Sequence, residues 1–195
     1  MLDQGDDRGA QIDRICARRS VAPKYLVEPG PTPEDLREIV RAACASVDHG
    51  CLAPTRYVYV PEDMRGVLAD AFAAAVLEED PSAPSERMTN ARERAAAGPC
   101  LLAVIACIDE TNEIVPSTEQ WIAVGASLQN LMLAVDACGF RGKIVSGKRV
   151  TSRSLRNCFK LLEQEHLVGF VVLGSSRQPP KERPRKSPDE TLSIL

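Results

Sequence analysis

Histidine is scarce here: His49 and His166 are the only two in 195 residues. Neither has a second ligand at a metal-binding spacing, so no metal site is expected. The seven cysteines are odd in number and form no Cys-x-x-Cys pair. Cys44, Cys100, Cys107, Cys138 and Cys158 lie among apolar neighbours, where a free thiol behaves as a small hydrophobe. A reducing compartment therefore fits better than a disulfide framework. No apolar run reaches bilayer length, and Met1 to Asp7 is acidic where a secretory signal would be basic and then apolar. The chain reads as cytoplasmic. A net charge of -3 gives no general reason to expect nucleic acid or a membrane as partner. Catalytic constellations are missing too: Cys51 lies near His49, but no third orienting group or oxyanion turn accompanies them.

What is present suits one ordinary domain. An apolar fraction of 44% and a charged fraction of 26% are those of a globular protein, and the length allows a sizeable core. We expect a single domain over 1–195, with a disordered leader over 1–10 and a C-terminal arm over 177–195. A short helix should put Ile12, Ile15 and Cys16 on one face, and the proline-rich Val21 to Pro33 should run extended over the surface. Thr32 reads as the cap of a helix with Pro33 first and Leu36, Ile39, Val40, Ala43 and Cys44 inward. A strand, Arg56 to Val60, leads to a helix carrying Met64, Val67, Leu68, Ala71, Phe72, Ala75 and Val76 on one face. From Glu78 to Gly98 the pattern dissolves into charge and proline, as in a solvated connector or a lid.

Pro99 to Cys107 is a short apolar run expected to form a central strand buried on both faces. Ser117 and Gln120 read as a capping box for a helix to about Cys138 that is apolar almost all round. A second subunit would bury what one sheet face cannot. Gly139 ends it. A short strand at Lys143 to Val145, a helix turning Leu155, Cys158, Phe159 and Leu162 inward, and a strand over His166 to Gly174 complete the core. Thr191 to Leu195 regains strand character after a polar stretch and needs something to pair with.

Four segments carry the functional signal. Arg18-Arg19-Ser20 places two guanidinium groups and a hydroxyl together, a set suited to phosphate. Val47 to Pro54 is a polar turn containing His49, Gly139 to Gly147 leads through a strand, and Leu167 to Gly174 runs into the basic tail Arg177 to Lys186. In that order and spacing, from about Ile12 to Arg185, the chain resembles the nitroreductase family of FMN flavoproteins, in particular its minimal single-domain members. The resemblance implies an α+β fold with a mostly antiparallel central sheet flanked by helices, in an intertwined homodimer with FMN at each interface cleft. It implies that Arg18, Ser20 and Arg183 hold the FMN phosphate, with Lys181 and Arg185 as helpers. Arg19 and Lys143 would face N1 and the C2 carbonyl, and the backbone of Ile144, Ser146 and Gly147 would line the ring near N5. His49 would reach flavin bound mainly by the partner, and the tail would add a strand to the partner's sheet.

The implied activity is two half-reactions at one site, NADH or NADPH reducing the flavin and a nitroaromatic, quinone or enone oxidising it. Two departures stand out. Thr55 replaces a usual tryptophan, and Val145 replaces a usual arginine, whose role Lys143 could take from the same strand face. A flavin-sequestering protein with weak turnover remains open, as does a domain of deazaflavin cofactor maturation, suggested by Pro54-Thr55-Arg56. A nucleic-acid arm is disfavoured because the basic tail lacks interleaved aromatics.

Overall fold

The computed structural model describes residues 4–179, 181 and 184–195, with residues 4–8 described as backbone only. The apolar run is strand β2 (Cys100–Cys107), buried along its length except at Cys107. It pairs antiparallel with β1 (Thr55–Tyr59) and β4 (Glu165–Gly174), and β4 pairs antiparallel with β3 (Arg141–Val145). The four strands lie in the order β1-β2-β4-β3. With helices on both faces, this is the expected α+β architecture.

Both sheet faces are covered because β2 alternates its side chains between two cores. Leu102 and Val104 face α2 (Pro33–Cys44) and α5 (Ser117–Ala137), packing with Ile39, Leu131 and Val135. Leu101, Ala103 and Ile105 face α3 (Arg65–Glu79) and α6 (Arg153–Cys158), packing with Leu68, Leu155 and Phe170. The Thr32 cap is as read. Its hydroxyl accepts from the Asp35 amide at 3.2 Å, and the Asp35 carboxylate accepts from the Thr32 amide at 2.9 Å.

Several local readings change. Helix α1 (Gln4–Ala17) starts inside the expected leader, and its Ile12 and Ile15 are each about half exposed on this chain. Cys44 and Cys138 are exposed, whereas Cys100 is buried. The Gly139 turn (φ +83°) does follow α5, but the capping box at its start does not form. Pro116 occupies the cap position, and Gln120 is buried. A carboxamide can donate twice and accept, and Gln120 uses that capacity on the loop before α5. It accepts from the Asp109 amide at 2.8 Å and donates to the Asp109 and Val115 carbonyls at 2.9 Å. The expected connector contains α4 (Ser85–Arg92), anchored where Ala83 and Ala91 pack on Val76 and where Arg87 reaches Asp80 at 2.6 Å. Charge dominates that segment's composition, but two small apolar residues at the right spacing suffice to dock it.

Two long-range contacts position the site. Val21 donates its amide to Gly142 at 3.1 Å, which lays the Arg18 to Ser20 corner beside β3. Val27 and Ser175 exchange backbone hydrogen bonds at 2.9 and 2.8 Å, which starts the basic tail beside the same corner.

Candidate functional site

The two chain ends meet in a groove of about 860 Å³ bordered by Arg18, Arg19, Ser20, Lys143, Lys181 and Arg185. Arg185 Nη2 donates to the Arg18 carbonyl at 3.0 Å, and Arg18 Nη1 lies 3.4 Å from Ser20 Oγ. Among the described residues, none of these five cations is paired with a carboxylate. Burial, then the charge of Arg185, hold the Arg18 guanidinium below its ordinary value; Asp136 opposes them and Arg19 adds to them. Like charges crowded without counterions favour an anionic ligand. The two arginines differ in freedom. Arg19 folds back onto the Cys16 carbonyl and onto its neighbour Arg18's carbonyl, the latter at 3.0 Å, whereas Arg18 makes no ion pair among the described residues and faces the groove.

The residues expected at one site divide between two cavities. Arg18, Arg19, Ser20, Lys143 and Ile144 border the groove. Ser146 and Gly147 border a neighbouring chamber of about 490 Å³. Val145 opens to that chamber and Lys143 to the groove, so Lys143 does not stand in Val145's place. Arg183 lies outside the described residues. Lys24 and Gln178 also border the groove and escaped the sequence reading. Pro23 and the turn it starts were the only cue to Lys24, whose side chain lies 4.9 Å from the Tyr25 ring centre.

Ser146 is placed by an irregularity in the sheet. The β2–β4 register jumps between Val104 and Ile105, leaving Val168 as the extra residue of a bulge. Ser146 Oγ donates to the Val168 carbonyl at 2.6 Å. Gly169 permits the approach, since a Cβ there would lie 2.7 Å from the Val145 carbonyl oxygen.

His49 sits apart from both cavities on this chain. Its Nδ1 lies 2.6 Å from Glu119 in the first turn of α5. The turn is tight: Asp48 accepts from the Ala53 amide at 2.6 Å, and Cys51 (φ +52°) and Ala53 (φ +48°) adopt left-handed backbone beside Gly50. Such conformations cost free energy and persist only where the surroundings enforce them. Thr55, at the tryptophan position, has a buried hydroxyl with no hydrogen-bond partner among the described residues. Arg56, in the Pro54-Thr55-Arg56 stretch, donates to Glu165 at 2.6 and 3.0 Å.

Comparison with known proteins identifies the fold and the family. The Nitroreductase family model matches residues 15–175. A Haemophilus influenzae protein, provisionally named an NAD(P)H nitroreductase, is 33% identical over 155 residues, 80% of this chain and 83% of the relative. A nitroreductase-like family protein from Bacillus cereus superposes with a TM-score of 0.82 at 21% identity, over 94% of this chain and 95% of the other. A provisionally named nitroreductase from Desulfovibrio desulfuricans, solved with FMN, gives 0.70 at 18% identity, covering 94% and 95%. By sequence match and fold alike, the chain belongs to the nitroreductase family.

Proposed function

We propose that the groove binds FMN and that the protein is an FMN-dependent NAD(P)H oxidoreductase. The observation that carries this is the set of unpaired cations from both chain ends, Arg18 with Lys181 and Arg185, converging beside β3. A phosphate would satisfy them. The groove's volume also suits a cofactor-sized ligand, for which pockets of about 300–1,000 Å³ are usual. The FMN in the Desulfovibrio structure and the name of the Haemophilus relative support the same reading. When bound, FMN would supply hydride transfer from NADH or NADPH to a nitroaromatic, quinone or enone acceptor in two half-reactions.

This chain's residues bind, orient and tune. Arg18 and Ser20 hold the phosphate, with Arg183 as a further proposed contact, and Lys143 sets positive charge where the reduced ring is most anionic. Arg19 is the weaker candidate for that second role, since its guanidinium is already held by carbonyls. The backbone of Ile144 at the groove and of Ser146 and Gly147 at the neighbouring chamber would form the wall along the ring, which would then reach from one cavity to the other, and the hydroxyl of Ser146 on the bulge makes that wall rigid.

A homodimer completes the proposal. Trp121 and Ile122 on α5 are 42% and 61% exposed, and Leu192 and Ile194 on the tail are 76% and 96% exposed, an amount of open apolar surface that association would cover. His49 would then approach flavin held by the partner, and the tail would pair with the partner's sheet.

The test is flavin titration of the purified protein. Quenched FMN fluorescence, a shifted flavin spectrum and NAD(P)H oxidation are expected. A protein that leaves free FMN unchanged would sink the reading, whereas one that binds FMN without accepting hydride would be the sequestering alternative.

A further inference from the structure

Each acceptor class named above takes up a proton as well as a hydride. A nitroaromatic becomes the nitroso compound and water, a quinone its hydroquinone and an enone the saturated ketone, each consuming one hydride and one proton. Bound FMN would supply the hydride alone. Arginine cannot be the source of the proton, since a guanidinium keeps its charge at any working pH. Histidine is the side chain suited to that task near neutrality, and the chain has two. His166 packs against the Trp121 ring, 5.7 Å between centres. His49 is held by a carboxylate.

That carboxylate is the third orienting group missing from the sequence around His49. Glu119, 70 residues further on, lies 2.6 Å from His49 Nδ1. A carboxylate only accepts, so Nδ1 carries the hydrogen and Nε2 is left as the nitrogen that exchanges a proton. The same pairing orients the ring and stabilises the imidazolium that forms when Nε2 is protonated. Glu119 stands in the first turn of α5, at the positive end of the helix, where its charge is favoured. Both partners are braced through one residue. Gln120, beside Glu119, donates to the Val115 carbonyl at 2.9 Å, and Asn112 accepts from the Val115 amide at 2.8 Å. Val115 also abuts the His49 turn, because a Cβ at Gly50 would lie 2.9 Å from its side chain. Asp48, the other carboxylate of the turn, is used on the Ala53 amide. The imidazole is 58% exposed on this chain, which leaves its far edge open to a second copy.

We propose that His49 is the proton donor of the second half-reaction, acting on an acceptor bound over the partner's flavin, and that Glu119 is the residue that positions it. The proposal rests on the FMN and homodimer reading above. With a quinone, hydride passes from the reduced ring to the quinone while the Nε2–H bond of protonated His49 breaks. The proton goes to the oxygen left negative, and the electron pair stays on Nε2. Nδ1–H remains on Glu119 throughout, and solvent restores the proton.

Stopped-flow oxidation of the dithionite-reduced, FMN-loaded protein separates this role from a structural one. Menadione takes a hydride and a proton, whereas ferricyanide takes electrons alone. His49→Gln should slow the menadione reaction by about a hundredfold or more, the usual worth of a positioned acid. Glu119→Ala should slow it by about tenfold, the value of one charge-assisted hydrogen bond. Ferricyanide should oxidise parent and variants at the same rate, since a general distortion of the site would slow both oxidants alike. Nitrogen NMR of the flavin-free chain gives a second readout, with the His49 signals assigned by their loss in His49→Gln. At a pH where His49 is neutral, its hydrogen should sit on Nδ1 in the parent and move toward Nε2 in Glu119→Ala. The proposal is overturned if the variants react with menadione at the parental rate, if both oxidants slow equally, or if Nε2 carries the hydrogen in the parent. An effect of His49→Gln without one of Glu119→Ala would remove the positioning role. A parent that binds no FMN would overturn the reading beneath the proposal and the proton transfer with it, while the NMR result would still report on the pairing of His49 with Glu119.

Discussion

The basic groove and the junction between α3 and the Lys148–Thr151 turn are rich in the same residue types yet electrostatically opposite. At the junction Glu79 gathers Lys148, Arg149 and Arg87, Asp80 holds Arg87 at 2.6 Å, and Glu78 accepts from the amides that open α6 at 2.8 Å. In the groove Arg18, Lys143, Lys181 and Arg185 face one another with no acid paired to them among the described residues. The cations that fasten elements of the fold have their acids built in, whereas those of the groove have none among the described residues. Composition cannot separate the two classes, because both are short basic runs.

The contrast can be pressed from either side. Glu165→Gln should have the largest effect, a loss of about 2–3 kcal/mol in urea unfolding. It would leave Arg56 beside a buried neutral group, an effect moderated because Arg56 itself is partly solvated. FMN affinity of the folded variant should be unchanged. The same carboxyl gives a pH signature. Hydrogen bonding to Arg56 foremost holds Glu165 below its ordinary 4.5, so its stabilisation is complete above that value and is lost as pH falls through the folded value. Acid titration of stability should therefore be shallower in Glu165→Gln than in the parent. The slope left by Glu79 and Asp80, depressed in the same direction, should persist.

Next, Arg18→Gln should weaken FMN binding by about tenfold to thirtyfold, the value of one lost charge-assisted hydrogen bond, with no loss of melting temperature. A drop in stability with unchanged affinity would reverse the assignment of the two regions. Raising ionic strength from low to physiological should weaken FMN binding further in the parent than in Arg18→Gln, since one screened charge has been removed. The smallest expected effect is that of Glu79→Gln, a slight fall in melting temperature. Of its pairs, the one with exposed Lys148 adds little, and the carboxamide left by the substitution can still accept from Arg149.

Local signals were legible in the sequence. The Thr32 cap, the doubly buried run at β2 and the positive-φ turn at Gly139 depend on neighbours a few residues away. The Arg18 cluster was readable as a basic patch because the charge of a guanidinium does not depend on the fold. Partner choice was not readable. Arg56 finds Glu165 at a separation of 109 residues, and Gln120 serves the loop before its helix although its position fits a capping box equally well. The division of the expected site residues between two cavities was hidden for a related reason. Alternation along a strand says which way Lys143 and Val145 point, but not what lies there. The bulge at Val168 and the segment Val21–Tyr25 decide that.

Gly169 gives the design one fixed point. A methyl group there would collide with the backbone of β3, so the contour beside Val145 and Ser146 is set by main chain and is closed to gradual change. Ala91 and Ala97 across the chamber are side-chain positions that can grow or shrink one carbon at a time. Substitution could therefore recarve the far side of the cavity while the side at the Val168 bulge keeps its contour.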